Sequence, residues 1–396
     1  MEIHFAFIIS IMTSLYLNAQ TWTPLSIGVT AQVDKISFPT VDTGYVLLDN
    51  STIRRTTNSG ANWSPCTVPV NPAYSIDFVT GQRGCMLQTN GISLTTDGAQ
   101  TWNNVLTVAG QDFYDVFFLD ANVGFASSLN SNLDSLYLYQ TTNSGATWTF
   151  VSAHGGPYNI FFPELYFIST TIGFTTFDAG ILKTTDGGVT WNVVFTDPNT
   201  DVWNSMSSPD GVNIFGGGMM GWMYISSNTG SSWTANTQLT YPGYGMYFDS
   251  PTHGFYCGGD GLGSGAIEVT TNGGGTWSPA YTGNSFWCMD FPSSSRGYVG
   301  GTNGVVVRYD AGPQSTTDNS VSQVSLYPNP ATDFITIENV EVGAVITITN
   351  SLGQLVKTGI AESNSILIDI RKLAEGIYLC SVVSGVRALS EKVVIQ

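Results

Sequence analysis

Six aromatic residues recur along this 396-residue chain at near-constant spacing: Tyr74, Tyr114, Phe162, Trp203, Tyr244 and Trp287, with Trp222 set among them. Carboxylates fall on the same stretches or beside them: Asp34, Asp112, Asp115, Glu164, Asp201 and Asp260. An aromatic face is apolar while Tyr and Trp keep a polar edge, so such a set suits a sugar ring or a peptide. The ligand-binding candidates are Tyr74, Tyr114, Trp203, Trp222, Tyr244 and Trp287, with Glu164 and Asp201. A glycoside hydrolase would need two carboxylates across the scissile bond, one of raised pKa. Glu164, Asp112, Asp115 and Asp201 are available, but no spacing selects a pair and no catalytic residue is assigned. A third possibility is that the aromatics simply pack the interior of a structural surface protein.

Other chemistries find less support. His154 and His253 have no Ser or Cys partner in register, which argues against a nucleophilic triad. The runs Gly216-Gly217-Gly218 and Gly273-Gly274-Gly275 precede no helix and do not read as phosphate loops. Cys66, Cys85, Cys257, Cys288 and Cys380 are odd in number and scattered, which fits mostly buried free thiols better than a disulfide framework. Their spacing matches no metal site, so neither metal nor cofactor is expected. With 12 Lys and Arg against 29 Asp and Glu, the formal charge is -17, the wrong sign for a nucleic-acid partner. Hydrophobic content of 42 % argues against disorder.

Residues 1–19 read as a secretory signal. Phe5 to Leu17 is apolar but too short to span a bilayer, and Leu17-Asn18-Ala19 supplies a cleavage site. No later apolar run reaches membrane-span length, so no transmembrane segment is expected in the mature chain.

The candidate residues need a frame, and the frame is a repeat. One octapeptide occurs six times: TTNSGANW ending at Trp63, TTDGAQTW at Trp102, TTNSGATW at Trp148, TTDGGVTW at Trp191, SSNTGSSW at Trp233 and TTNGGGTW at Trp277. With Thr21-Trp22, the seven tryptophans are 41, 39, 46, 43, 42 and 44 residues apart. A second signature keeps the same phase, an apolar strand followed by Gly-aromatic or its equivalent: Phe38 with Gly44-Tyr45, Phe78 with Gly84-Cys85, Phe118 with Gly124-Phe125, Phe167 with Gly173-Phe174, a degenerate unit at Met206, Phe248 with Gly254-Phe255, and Phe291 with Gly297-Tyr298. Each unit reads as four strands, A to D. In the fourth these are about Leu165–Ile168, Gly173–Phe177, Gly180–Thr184 and Thr190–Phe195, and units of this size are the signature of propeller blades.

The octapeptide is the C–D turn. Asn58, Asp97, Asn143, Asp186, Asn228 and Asn272 accept backbone N–H bonds within it, the following Gly permits a positive φ, and Trp63, Trp102, Trp148, Trp191, Trp233 and Trp277 plug the gap between strands. These positions are structural; the second turn departs from the pattern, with Ala99 where the others have Gly. The seventh unit lacks its own box, and the orphan Thr21-Trp22 strand is placed to supply its fourth strand, sealing both edges of the ring. The fold expected is all-β: a seven-bladed β-propeller over residues 20–312 with N-terminal strand closure. A linker (313–323) and a small Ig-like β-sandwich (324–396) follow, with strands near Phe334–Glu338, Ala344–Asn350, Gln354–Thr358, Ser365–Ile370, Gly376–Val383 and Lys392–Ile395.

The octapeptide resembles the Asp-box of sialidases, sortilin-like receptors and xyloglucanase-type hydrolases. With its VGFA and TTDGGVTW style of unit, the propeller looks most like the photosystem II assembly and stability factor family. Sialidases, as a family, need three Arg converging at the channel. Here Arg83 and Arg296 fall in A–B loops, on the opposite face, and Arg54, Arg55 and Arg308 lie in strand C. The photosystem family is associated with a basic patch that has no counterpart here. In the tail, Tyr327-Pro328-Asn329-Pro330, Asn350-Ser351-Leu352-Gly353-Gln354, Leu373-Ala374-Glu375-Gly376-Ile377-Tyr378 and Glu391-Lys392-Val393-Val394-Ile395-Gln396 resemble the C-terminal sorting domain of the bacterial type IX secretion system. That resemblance implies a Bacteroidetes-type cargo, released or anchored at the cell surface, whose partner in export is the type IX machinery. The function expected is binding of a glycan or protein at the aromatic channel face. A secreted hydrolase and a structural surface protein are the alternatives.

Overall fold

Strand-forming alternation broken every few residues by Gly, Asn and Asp leaves the chain no option but short antiparallel strands. A computed structural model describes residues 20–396 except 70–71, 131, 133–134, 156–163, 178–179, 198–202, 313–324, 341, 351–354 and 385–386. It divides into two units, Met1–Gly312 and Pro313–Gln396. The predicted leader lies outside the described residues.

The first unit is built of seven blades. Blade 1 is Val33–Ser37, Gly44–Leu48, Ile53–Thr56 and Ser64–Pro65. Blades 2 and 3 form one six-stranded sheet. Its strands are Ala73–Phe78, Gly84–Thr95, Asn103–Phe118, Gly124–Asn130, Ser135–Thr141 and Thr149–Gly155. Gly84–Thr95 carries strands B and C of blade 2, and Asn103–Phe118 runs from strand D of blade 2 into strand A of blade 3. Blade 4 is Leu165–Phe167, Gly173–Phe177, Gly180–Thr184 and Asn192–Thr196. Blade 5 is Trp203–Ser207, Ile214–Gly218, Trp222–Ser226 and Thr234–Gln238. Blade 6 is Gly243–Phe248, Gly254–Gly259, Gly265–Thr270 and Ser278–Gly283. Blade 7 takes Phe286–Ser293, Arg296–Gly301 and Val305–Asp310, and Thr21–Ser26 pairs antiparallel with the last of these as its fourth strand.

Aromatic rings join the blades. In blades 1, 2, 3, 4 and 6 the strand-A phenylalanine meets its own box tryptophan edge-on, as in Phe38–Trp63 (6.1 Å, 84°) and Phe167–Trp191 (6.2 Å, 82°). The same phenylalanine often lies flat on an aromatic of the preceding blade: Phe38 on Tyr298 at 3.4 Å, Phe78 on Tyr45 at 3.5 Å, Phe167 on Phe125 at 3.6 Å and Phe248 on Phe215 at 3.7 Å. The glycine of the Gly-aromatic signature makes room for this ring, since a Cβ on Gly44 would stand 2.3 Å from the Phe38 ring. Box tryptophan to Ala would cost roughly 3–5 kcal/mol by analogy with core truncations.

The box turn itself is closed by its own polar groups. In the fourth blade the Thr184 hydroxyl donates to Asp186 and accepts Gly188 N–H, while Asp186 accepts the Thr190 N–H and hydroxyl. Those bonds, the Thr190 hydroxyl foremost, hold Asp186 down to about 2. Ala99 adopts the left-handed φ of 65° that its turn demands and donates its N–H to Thr95, so the departure from Gly is absorbed without changing the turn.

The second unit has two sheets. One orders Ser325–Tyr327, Phe334–Glu338 and Ser365–Asp369; the other orders Leu355–Ile360, Val345–Asn350, Gly376–Ser384 and Arg387–Ile395. Ile335, Ile337, Ile346, Ile348, Ile370 and Val393 fill the space between them. The Tyr-Pro-Asn-Pro segment holds the terminal strand: Asn329 accepts Val394 N–H, and Ala331 N–H reaches the Val394 carbonyl. The Ser325–Tyr327 strand was not anticipated from sequence, because at three residues it is too short to show alternation.

Gly188 has φ +90° and a Cβ there would lie 2.0 Å from Leu138 of blade 3, whereas Gly211, at φ +74°, has open space around it. Gly188→Ala is expected to destabilise by at least about 2 kcal/mol and Gly211→Ala by about 1 kcal/mol, read as shifts in urea midpoint.

Candidate functional site

In this topology the D–A loops and B–C hairpins share one face around the central channel, and the box turns share the other. Tyr74 and Tyr114, at the starts of strand A in blades 2 and 3, lie with ring centroids 6.0 Å apart and planes 25° from parallel. Tyr74 is 40 % exposed. Across the ring, Tyr244 and Trp287 of blades 6 and 7 meet at 4.3 Å with a 47° tilt, both half-buried. Burial raises the hydroxyls of Tyr114 and Tyr244, so both remain hydrogen-bond donors at neutral pH. Trp222 is half-buried against the blade 4–5 core.

Trp203 is a correction. Proposed for the rim, it is fully buried. Blade 5 has Ser207 and Ser208 where strand A elsewhere ends in phenylalanine. Trp203 turns inward, meets the box Trp233 edge-on at 5.3 Å and stacks on Tyr224 at 4.7 Å. A Cβ on Gly216 would stand 2.2 Å from its ring, the close approach that glycine serves in the other blades. Asp201 and Phe162 lie outside the described residues.

Inside the channel the structure assembles a charged group that sequence reasoning only half anticipated. Lys35 pairs with Asp115 at 3.2 Å, and the Asp115 carboxylate also accepts Leu165 N–H at 2.9 Å and the Ser75 hydroxyl. Glu164 is half-buried beside this pair. Burial pushes its carboxyl well up, Lys35 pulls it down and Asp115 adds to the rise. Burial opposes the Lys35 charge, but Asp115 and Glu164 outweigh it and raise that ammonium.

One layer further along strand A, the residue before the phenylalanine latches the next blade. Ser37 accepts Phe78 N–H at 3.0 Å, Asp77 accepts Phe118 N–H at 2.9 Å and Ser207 accepts Phe248 N–H at 2.9 Å. Asp290 of blade 7 accepts Phe38 N–H of blade 1 at 2.5 Å, the same latch across the seam of the ring. Burial raises Asp77 to about 6 and Asp290 to about 7 against the pull of these bonds. Lys35, Asp77 and Asp290 lie within strand A, past the loop positions singled out from the sequence. For the two aspartates the signal is periodic: Ser37, Asp77, Ser207 and Asp290 each directly precede the strand's final aromatic or its serine replacement.

Residues assessed for other chemistry take structural places. His253 hydrogen-bonds Asp249 within an A–B turn, and all five cysteines are free, with Cys85, Cys257, Cys288 and Cys380 buried. Arg83 reaches the Ser144 and Asn143 carbonyls on the box face and does not point to the channel.

Residues 325–396 match the model of the secretion system C-terminal sorting domain. The tail is a type IX sorting domain. A chain bearing it is handled by that secretion system and ends up secreted or attached at the cell surface. The propeller is similar to "YCF48 bound to D1 peptide" (TM-score 0.59, 19 % identity), over 73 % of this chain and 96 % of that one. It is also similar to YCF48 from Cyanidioschyzon merolae (TM-score 0.59, 16 % identity), over 73 % and 98 %. A third likeness is to the WD40 β-propeller domain of Doa1 (TM-score 0.55, 13 % identity), over 74 % and 97 %. At these identities the likeness shows the fold alone. No curated protein matches the chain.

The buried latch at Asp290 gives a pH signature. Its folded value lies above the ordinary 3.8, so between about 4 and about 7 the folded state holds a proton that the unfolded state has lost. Stability from this site therefore falls as pH rises through that window. Asp290→Asn keeps an oxygen for Phe38 N–H but removes the charge. Its melting temperature should match wild type near pH 4 and exceed it at pH 8, by a stability difference on the order of 2–4 kcal/mol. Parallel melting curves at every pH would refute the assignment.

Proposed function

We propose that this protein is an exported propeller that binds a glycan or protein ligand at its channel face. The observation behind this reading is that Tyr74–Tyr114 and Tyr244–Trp287 stay partly open at the channel mouth, while the strand-A phenylalanines Phe38, Phe78, Phe167 and Phe248 are buried between blades. Paired, tilted rings on fixed strands offer apolar faces with polar edges, held without a large ordering cost on binding. A propeller of the same fold is described as holding a peptide, which supports the mode without naming this chain's ligand. On glycan and surface-protein arrays, Tyr74→Ala with Trp287→Ala should lower binding of the full chain about tenfold or more. Undiminished binding by that double variant would remove the site from consideration.

A second reading, a glycoside hydrolase, has one feature in its favour: burial raises the Glu164 carboxyl, the direction a general acid needs, with Asp115 nearby. Asp115 is engaged by Lys35 and Leu165, which leaves it poorly placed to act as nucleophile or base. Hydrolysis of a polysaccharide panel that disappears in Glu164→Gln would establish that reading; equal hydrolysis by both proteins would end it. Export itself is tested separately, since deletion of residues 324–396 should leave the propeller in the periplasm.

A further inference from the structure

Most of the propeller's cations lie on the box face, where they are engaged by carbonyls and by acids of that face. Five of its seven Lys and Arg side chains are committed to the box face. Arg55 donates to the Gly81 carbonyl, Arg83 to Ser144 and Asn143, Lys183 to Thr229 and Arg308 to Ser59, while Arg296 pairs with Asp310. Lys35, in the channel, is paired with Asp115, and the seventh cation, Arg54, lies beside Gly28 on a channel-face loop. The loops of the channel face meanwhile carry Asp34, Asp49, Asp112 and Asp260. Asp260 stays ionised because it accepts the N–H groups of Ser264, Leu262 and Gly263.

That same face presents apolar side chains. Leu262, at the tip of the blade 6 B–C hairpin, is 93 % exposed, and Met220 on the neighbouring blade 5 hairpin is 59 % exposed. The Leu262 hairpin is built, since the Asp260 bonds and Ser285 hold it, and a Cβ on Gly261 would stand 3.8 Å from the Trp287 ring. Leu262, Met220, Tyr244 and Trp287 thus rim one side of the channel mouth, with Asp260 at the base of the Leu262 hairpin and the other channel-face acids further round the ring. Thioether and leucyl tips accommodate aliphatic side chains, a tilted Trp–Tyr pair accepts a cation over its faces, and the surrounding carboxylates select positive charge.

We infer that the ligand of the channel face is a cationic polypeptide segment with apolar side chains, docked on the Leu262–Met220–Trp287 rim. This rests on the reading that the channel face is the binding face and narrows its ligand to one class. A neutral glycan can donate hydroxyls to single carboxylates but gains nothing from their summed charge, and an acidic partner would be repelled.

The test is fluorescence anisotropy on the full chain with three labelled twelve-residue probes: a Lys/Leu peptide, the same peptide with Glu for Lys, and the same with Gln for Lys. A neutral β-linked oligosaccharide serves as the fourth arm. The Lys/Leu peptide should bind, weaken as salt rises from about 50 to 300 mM, and lose about tenfold in Leu262→Ser with Met220→Ser. Val189→Ser, which removes a similarly exposed apolar residue from the box face, should leave it unchanged. Equal binding of the Glu peptide overturns the inference. Insensitivity to the hairpin variants does the same, because it marks mere attraction to an acidic protein. If only the oligosaccharide binds, and Trp287→Ala abolishes it, the polypeptide ligand falls and the binding face stands. If no probe binds, both fall.

Discussion

The propeller hangs on one aromatic contact made over and over. A phenylalanine at the end of strand A meets the box tryptophan of its own blade edge-on and often lies against the preceding blade as well, so a single ring welds strand to turn and blade to blade. Edge and face contacts of this kind add roughly 0.5–1.5 kcal/mol each beyond the area they bury. Two features of the repeat serve that ring. The glycine after the A–B loop leaves space for it, and the polar box turn delivers the tryptophan to it. Because the contact spans blades, no blade is complete without its neighbour, and the seam between Phe38 and Tyr298 closes by the same rule as every other junction.

That regularity made most of the fold legible from sequence. Tryptophan spacing alone fixed the number of units, and in the fourth blade strands B and C fall where Gly173–Phe177 and Gly180–Thr184 were expected. Blade 5 was the hard case for a physical reason. It has lost the strand-A phenylalanine and fills the same contact with a tryptophan from the opposite end of the strand. A pattern aligned on the chain therefore assigned Trp203 to the rim, whereas packing assigns it to the core. The rim residues that stayed partly open, Tyr74, Tyr114, Tyr244 and Trp287, have Phe78, Phe118, Phe248 or Phe291 to occupy the interior in their place.

The channel was less legible because its chemistry is assembled from positions 40 to 250 residues apart. Lys35 meets Asp115, and Asp290 meets Phe38, through ring closure and not through local sequence. The Lys35–Asp115 ion pair and three carboxyls raised chiefly by burial, Glu164, Asp77 and Asp290, lie along the inner strands. Asp260, on an outer hairpin, is held ionised by the N–H groups of its own turn. The molecule thus separates acid that stabilises a turn, acid that ties neighbouring blades and acid that faces solvent, although all three are the same residue type.

The chain leaves the propeller from Asp310, the end of a strand that is not an edge. Thr21–Ser26 covers one side of Val305–Asp310 and Arg296–Gly301 the other. Any pull applied through the tail is therefore borne by two ladders at once, loaded along their length. Had the seventh blade been left with three strands, the same pull would have peeled an outermost strand one bond at a time. The borrowed N-terminal strand is thus a mechanical anchor as well as a seal.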